Sequence, residues 1–227
     1  MKHCVVLLSG GIDSATTLAI AASQGYQTYA LSFDYGQRHR RELEAARQIA
    51  KSLGAKEHRV LEIDNQIFSG SALVDDVAVP KSRSPQEIGA AIPVTYVPAR
   101  NTIFLAHALA WAEVIGGSHI FIGANAIDYS GYPDCRPEFL ALFEMLANIG
   151  TKAGIEGGRF QIHAPLVKLS KADIVRKAIE LKVDLSLTHS CYDPAPDGAA
   201  CGTCDSCLLR LKGFEEAGVS DPIRYAA

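Results

Sequence analysis

Short apolar runs of strand length alternate with longer segments of helical periodicity along most of the chain. The predicted strands cover residues 4–8, 28–33, 58–63, 119–123 and 160–163. The predicted helices cover residues 15–22, 38–52, 99–115, 137–148 and 171–181, and a final helix follows the last cysteines. Because strands that alternate with helices build parallel β-α units, the pattern predicts an α/β fold with a doubly wound, mostly parallel five-stranded sheet.

The alternation of strands and helices is interrupted between residues 64 and 95, where Pro80, Pro85 and Pro93 lie. Loops of this length are uncommon unless they are functional or disordered. We interpret the stretch as a flap beside a substrate, with a disordered segment as the alternative. A second change comes after residue 184, where the cysteines cluster. We therefore divide the chain into an α/β domain, residues 1–184, and a C-terminal helical region, residues 185–227, that packs on it.

The first predicted strand leads through residues 9–14, with the sequence SGGIDS, into the first predicted helix. A helix that begins directly after such a turn aims free backbone N–H groups at one point, and its dipole favours an anion there. Gly10 and Gly11 allow a phosphate to approach the backbone, and Ser9 and Ser14 add hydroxyl donors. The loop lacks the Gly-Lys-Ser/Thr ending of a Walker loop. It predicts a phosphate site, with an ordinary capped β-α turn as the alternative.

Charge and hydropathy limit the classes of partner. The 227 residues carry a net charge of -3, and the sequence pI is about 6.2. A nucleic-acid-binding protein is usually basic, so we expect no nucleic-acid partner. No apolar run reaches the roughly 18 residues that a membrane span needs, and the apolar run at the N-terminus, five residues long, is too short for a signal peptide. We expect a cytoplasmic protein without a membrane partner.

Four of the six cysteines lie close together: Cys191, Cys201, Cys204 and Cys207. In a reducing compartment this Cys-x9-Cys-x2-Cys-x2-Cys spacing favours a metal site over disulfides. Four thiolates predict one structural zinc ion with no open position. An iron–sulfur cluster is the alternative, and His189 is a substitute ligand. We interpret Cys4 as a buried strand residue and Cys135 as an inert thiol.

A polar loop, residues 124–136, follows the fourth predicted strand. Open parallel sheets bind ligands at the carboxyl ends of their strands. The loop is therefore a candidate substrate site.

The phosphate loop resembles that of the N-type ATP pyrophosphatases, which bind ATP and release pyrophosphate. A wider set of segments resembles the 7-cyano-7-deazaguanine synthases of the queuosine-precursor pathway, in the same order and nearly from end to end. These segments are residues 9–14, 34–39, 96–102, 123–136, 168–171 and the four cysteines. The resemblance implies a Rossmann-like fold of the adenine nucleotide α-hydrolase type, in which residues 1–184 bind the nucleotide and residues 185–227 bind zinc.

The resemblance implies an ATP-dependent ligase that converts 7-carboxy-7-deazaguanine and ammonia into the nitrile, through an adenylated acid and an adenylated amide. Zinc, Mg²⁺ and ATP as co-substrate are the implied cofactors. The residues assigned to ATP are Leu8, Ser9, Gly10, Gly11, Ile12, Asp13, Ser14, Ala15, Thr16, Thr17 and Leu18, with the adenine near residues 31–33. Those assigned to catalysis are Asp13, Ser14 and Lys168. Those assigned to the substrate are Arg100, Asn101, Asp128, Asp134 and Arg136.

Two other functions are considered. A tRNA-modifying thiolation enzyme shares the phosphate loop and a cysteine cluster that holds a metal or an iron–sulfur centre, although the acidic balance argues against a tRNA partner. A non-catalytic nucleotide-binding zinc module would bind ATP without releasing pyrophosphate. The chain is short for an additional glutaminase domain, so ammonia is either free or delivered by a partner. A homodimer is the assembly considered.

Overall fold

The computed structural model describes residues 2–37, 40–88, 91–125 and 132–226. Its five strands are β1 (His3–Leu7), β2 (Gln27–Asp34), β3 (Glu57–Glu62), β4 (His119–Phe121) and β5 (Gln161–His163). They form one sheet in the order β3-β2-β1-β4-β5, and every pairing is parallel. The predicted doubly wound α/β fold is confirmed.

Helices connect these strands. They are α1 (Ile12–Ser23), α2 (Arg41–Ser52), α3 (Pro85–Ile88), α4 (Arg100–Val114), α5 (Pro137–Gly150), α6 (Lys152–Ile155), α7 (Lys171–Glu180) and α8 (Asp205–Ala217). The single-turn helices α3 and α6 escape the sequence pattern because they are too short to show a helical period. Local capping explains α6, since the Thr151 hydroxyl accepts a hydrogen bond from the Gly154 N–H at 3.1 Å.

Helices cover both faces of the sheet. The side chains of β1 alternate between the two apolar cores, as a strand requires: Cys4 and Val6 face one core, and Val5 and Leu7 face the other. Helices α1, α2, α7 and α8 contribute to the first core, whereas α4 and α5 contribute to the second. Cys4 is fully buried, as predicted.

The stretch from residue 64 to residue 95 is folded against the protein over its described residues. Phe68 is fully buried and packs edge-on against Tyr35, with ring centroids 5.7 Å apart. Further along, Lys81 pairs with Cys204 through an antiparallel β-bridge, and the Arg83 guanidinium forms an ion pair with Asp205. The stretch therefore links the second core to the cysteine region.

The topology places a ligand crevice beside β1. In the sheet, β2 and β3 lie on one side of β1, whereas β4 and β5 lie on the other side. The chain builds β2 and β3 first and then crosses back over β1 to build β4. Such a reversal of strand order leaves an opening at the carboxyl ends of the strands. No helix among the described residues has the length and apolar character needed to cross a membrane.

Candidate active site

A cavity of about 270 Å³ lies at the carboxyl edge of the sheet. Its lining comes from the loop between β1 and α1, the end of β2, the start of α4, the residues after β4, and the segment around Cys191. The predicted phosphate loop thus opens into the cavity that the sheet topology provides.

The phosphate loop is held by its own serines. The hydroxyl of Ser14 accepts from the Ser9 N–H at 3.1 Å and donates to the Gly11 carbonyl at 3.0 Å. Gly10 has a φ of +91°, and a Cβ at this position would meet the Glu42 carbonyl oxygen at 2.2 Å. Glycine is therefore required where the loop packs on the first turn of α2.

Not all of the residues predicted to bind ATP line the cavity. Leu8, Ser9, Gly11, Ile12, Asp13 and Ser14 do line it. Gly10 lies behind them, where its carbonyl accepts from the His189 N–H at 2.9 Å. Ala15, Thr16, Thr17 and Leu18 are fully buried in α1, and both threonine hydroxyls donate to backbone carbonyls of the same helix.

Asp13 is paired with Lys171. The Lys171 ammonium donates to both oxygens of the Asp13 carboxylate, at 2.8 and 2.9 Å, and both residues line the cavity. The lysine stem is buried against α8, where a Cβ on Gly213 would meet the Lys171 Cγ at 2.3 Å. The predicted Lys168 is exposed and is not among the residues that line the cavity. The cation at the phosphate loop is thus Lys171.

A sequence signal for Lys171 does exist. Lys171 is the first residue of α7, directly after the cap Ser170, whose hydroxyl accepts from the Asp173 N–H. A cation at this end opposes the helix dipole. A lysine in this position is therefore expected to have a partner elsewhere, and Asp13 supplies it.

Only some of the residues predicted to bind the substrate line the cavity. Arg100 lines the cavity, and its guanidinium donates to the Tyr35 hydroxyl at 3.4 Å. Asn101 also lines it. Arg136 is exposed and is not part of the lining. Asp128 lies outside the described residues.

Asp134 is a buried residue that holds the start of α4. Its carboxylate accepts from the Asn101 N–H at 3.1 Å, and its carbonyl accepts from the Asn101 side-chain amide at 3.0 Å. The N-cap position, Ala99, has no side chain that could perform this task. Asp134 thereby fixes the two cavity residues Arg100 and Asn101.

Sequence reasoning missed a half-buried carboxylate in the cavity wall, Glu42. Its Oε1 accepts from the side-chain amide of Gln37 at 3.0 Å. Burial raises the pKa of Glu42 to about 7, although the Arg100 charge and the Gln37 hydrogen bond oppose the rise. Burial likewise raises the pKa of the Tyr35 phenol to about 12, so it stays neutral. Gln37 belongs to the segment 34–39 that carried the family resemblance, which was the available signal.

The four clustered cysteines form a candidate metal centre. Their sulfur atoms all lie within 4.8 Å of one another. The N–H groups of Asp193 and Cys201 donate to the Cys191 sulfur at 3.4 and 3.2 Å, an arrangement that favours a thiolate. Cys191 itself lines the cavity together with Ser190 and Tyr192. The candidate metal centre therefore lies directly behind the cavity wall.

Cys135 also lines the cavity but does not belong to the cluster. Its sulfur accepts from the Asn101 amide, and burial raises the pKa of its thiol to about 11. A thiol with such a pKa is protonated at neutral pH and weakly nucleophilic. This supports the prediction of an inert residue.

Solved structures share the fold at low identity. A predicted subunit of a tRNA methyltransferase from Methanocaldococcus jannaschii has a TM-score of 0.52 and 19% identity, and the match covers 97% of this chain and 91% of that one. A 4-thiouridine synthetase, solved in complex with RNA and bound ATP, has a TM-score of 0.51 and 19% identity over 96% of this chain and 50% of that chain. Likeness at this level concerns the fold alone.

Relatives of higher identity carry one name. The 7-cyano-7-deazaguanine synthase of Desulfatibacillum aliphaticivorans is 64% identical over 225 residues, which is 99% of this chain and 97% of that protein. The protein of the same name from Geobacter metallireducens is 62% identical over 226 residues, 99% of this chain and 94% of that protein. The family model described as "Queuosine biosynthesis protein QueC" matches residues 3–218. The family resemblance read from the motifs is confirmed, and the chain belongs to the queuosine biosynthesis protein QueC family.

Proposed function

We propose that this chain is the ligase that converts 7-carboxy-7-deazaguanine and ammonia into 7-cyano-7-deazaguanine, with ATP cleaved to AMP and pyrophosphate. The observation that carries the proposal is one cavity that joins a phosphate loop without a Walker lysine to a cation–carboxylate pair, in a chain of this family.

The chemistry requires two activations. A carboxylate is a poor electrophile because its leaving group would be oxide. Attack of its oxygen on the α-phosphorus of ATP gives an acyl-adenylate, from which ammonia displaces AMP to form an amide. The amide oxygen then attacks a second ATP in the same way, and loss of AMP leaves the nitrile. Two AMP and two pyrophosphate are released for each nitrile.

The phosphate loop is suited to the departing pyrophosphate. The backbone N–H groups of residues 10–14 would bind it, and the helix dipole of α1 adds to the attraction. Lys171 is placed to neutralise its charge, the task that the sequence prediction gave to Lys168. Mg²⁺ would share the phosphate charge, with Asp13 as the protein carboxylate and ATP oxygens as further ligands. Ser14 would add its hydroxyl to the loop.

The other end of the cavity is suited to the deazaguanine. Arg100 would bind the substrate carboxylate, since its guanidinium faces the cavity. Asp128 and Arg136 remain proposed readers of the ring, from the loop that follows β4. Asn101 and Asp134 would contribute by fixing this end of α4. The adenine is proposed to lie near residues 31–33, where Leu31 and Phe33 line the cavity.

We propose zinc as the metal of the four cysteines. A tetrahedral zinc ion with bonds of about 2.3 Å separates its sulfurs by about 3.8 Å, and Cys201 and Cys207 have sulfurs 4.0 Å apart. An iron–sulfur cluster binds its cysteines to different iron atoms and needs a wider set. Cys191, Cys201, Cys204 and Cys207 would fill the coordination sphere, so within the C-terminal region, residues 185–227, the ion would tie the segment around Cys191 to the start of α8.

We propose a cytoplasmic homodimer that forms through helix α5. Its outward face presents four side chains that are each more than half exposed: Leu142, Met145, Leu146 and Ile149. The charged residue of this segment, Glu144, points inward, and its carboxylate accepts from the Ile162 N–H at 2.8 Å. Because this stripe carries no charge, a second copy that docks on it brings no like charges into direct contact, although each chain has a net charge of -3. A two-fold axis would pair the stripe with itself.

Tests of the reaction should measure the products formed from ATP as well as those formed from the deazaguanine. The chain with ATP, Mg²⁺, ammonia and 7-carboxy-7-deazaguanine is expected to give the nitrile by mass spectrometry, together with AMP and pyrophosphate. Synthetic 7-amido-7-deazaguanine should give the nitrile with ATP and without ammonia. An inert amide, or ADP as the nucleotide product, would contradict this mechanism.

The tRNA-thiolation alternative is not favoured. The named relatives are 7-cyano-7-deazaguanine synthases, and Cys135, the cavity cysteine outside the metal cluster, has a thiol whose pKa is raised. Retention of tRNA during purification, or iron in the metal analysis, would favour the tRNA-thiolation function instead.

A further inference from the structure

Glu42 occupies a position that the proposed steps have not used. It is in the first turn of α2, and its carbonyl lies where a Cβ on Gly10 would be. This contact fixes the start of α2 directly beside the phosphate loop. The Glu42 side chain reaches the same cavity as Arg100, which is proposed to hold the substrate carboxylate. The structure thus places Glu42 beside the phosphate loop, in the cavity that Arg100 also lines.

The orientation of the carboxylate is set by Gln37. The Gln37 side-chain oxygen accepts from the Tyr35 N–H at 2.9 Å, so its amide nitrogen must face the other way. That nitrogen donates to the Phe33 carbonyl at 3.1 Å and to Glu42 Oε1 at 3.0 Å. Gln37 is buried and cannot rotate without losing these bonds. Among the described residues, Glu42 Oε2 makes no hydrogen bond, and it remains available to a ligand.

Both proposed half-reactions need a base that acts on nitrogen. When ammonia attacks the acyl-adenylate, its lone pair forms the C–N bond, the C–O bond breaks, and AMP leaves with the electron pair. The nitrogen must then lose a proton. In the second half-reaction the amide nitrogen loses both of its protons, one as its oxygen is adenylated and one as AMP departs.

We propose that Glu42 is the general base that takes these protons, held in place by Gln37. The proposal rests on the proposed function, and it assigns a role that the phosphate loop, Lys171 and Arg100 do not fill. Backbone N–H groups and cations donate or attract charge, but they accept no proton. Among the described groups of the lining, Asp13 has both oxygens engaged with Lys171 and is already assigned to Mg²⁺ by the proposed function. Glu42 has one oxygen engaged.

The electrostatic surroundings agree with this role. The Arg100 guanidinium from α4 and the side-chain amide of Gln37 favour the ionised form of Glu42, whereas the Asp34 carboxylate at the end of β2 disfavours it. The Tyr35 phenol also interacts with Glu42. Together with burial, which raises the pKa most, these interactions place the pKa of Glu42 at about 7. A base with such a pKa is ionised in a useful fraction at neutral pH and still binds a proton strongly. The rate of proton removal should therefore rise with pH through about 7.

The test separates adenylation from proton removal in the variant E42Q. Adenylation of the acid removes no proton, because the substrate carboxylate is already ionised. Acid-dependent exchange of labelled pyrophosphate into ATP should therefore persist in E42Q within about threefold of wild type. Nitrile formation from the amide and ATP should fall at least about 100-fold, and the rise of the rate with pH through about 7 should disappear. E44Q, the same change at an exposed position of α2, should match wild type in both assays.

Each other outcome overturns the assignment. Loss of pyrophosphate exchange in E42Q would mean that Glu42 binds a substrate, and retained nitrile formation would mean that another group takes the proton. Wild-type protein that shows no acid-dependent exchange would instead refute the proposed function itself. The variant E42D guards against a folding artefact, since it should retain the pH dependence with a lower kcat.

Discussion

The Lys171 ammonium donates to both carboxylate oxygens of Asp13 across 158 positions of sequence. The pair places a buried cation at the start of α1, where the backbone N–H groups already attract an anion. A ligand with two or more negative charges can therefore bind there although a carboxylate is present.

Two lysine variants distinguish the structural assignment from the sequence prediction. K171M removes the cation beside the phosphate loop, and we expect pyrophosphate release to fall by about 100-fold or more. K168M changes an exposed side chain outside the cavity lining and should stay within about threefold of wild type. Steady-state pyrophosphate release measures both. A larger loss in K168M than in K171M would return the role to Lys168.

Removal of one cysteine of the cluster should release the metal. We expect C204S to bind less than a tenth of the zinc of wild type by elemental analysis and to have a lower Tm, because structural zinc sites are worth roughly 10 kcal/mol or more of apparent binding energy that is linked to folding. C4A, at the buried cysteine of β1, is the control: it should lose some stability and keep its zinc. A C204S protein with full zinc content and an unchanged Tm would contradict the site.

Asp134 should act through the start of α4. D134A leaves the Asn101 N–H without its acceptor, and loss of such a cap costs about 1 kcal/mol. We expect a lower Tm together with a raised KM for both the acid and the amide, since Arg100 and Asn101 would lose their support. R136A alters an exposed residue and should leave the Tm unchanged, so a raised KM in R136A would support its role as a reader of the ring.

Burial of Glu42 should cost stability at alkaline pH. The folded-state pKa of about 7 lies above 4.5, the ordinary pKa of a glutamate side chain. Ionisation is therefore harder in the folded protein, and stability is lost as pH rises from about 4.5 through about 7. E42Q carries no charge, so its Tm should exceed that of wild type at pH 8, and the difference should shrink towards pH 5. Thermal melts at both pH values measure this, and an equal difference at both would contradict the buried charge.

The exposed stripe on α5 should control assembly. We expect wild-type protein to sediment as a dimer and L146E to sediment as a monomer, because each copy would bring a charged glutamate into the apolar stripe. T102E, at an exposed position of α4, is the control and should leave the dimer intact. A wild-type monomer at micromolar concentration would remove the interface, and a dimeric L146E would move it to another surface.

The fold could be predicted because its signal is local. Alternating apolar runs and helical periods mark each element within a few residues, and parallel topology follows from their order. The phosphate loop was also readable, because strand, glycine turn and helix are consecutive. Predicted helix ends differ from α4 and α7 by about one residue, as expected where the final turn is set by tertiary packing.

The rest of the site depends on contacts between distant segments. Nothing near Lys171 indicates that Asp13 is its partner, and Lys168 is equally basic in sequence. Glu42 looks like any polar residue in the first turn of a helix, and only the close packing of α2 on Gly10 brings its side chain into the cavity. Asp134 is predicted from the sequence to bind the substrate, and no local signal shows that its carboxylate accepts from the Asn101 backbone N–H.

The contact between Gly10 and His189 affects the stage of protein synthesis at which the cavity can form. The Gly10 carbonyl accepts from the His189 N–H at 2.9 Å, so the phosphate loop is closed by a segment that the ribosome makes much later than the loop itself. A nascent chain displays the loop long before Ser190, Cys191 and Tyr192 emerge to complete the cavity wall. The cavity is therefore complete only once the segment around Cys191 has folded against the phosphate loop.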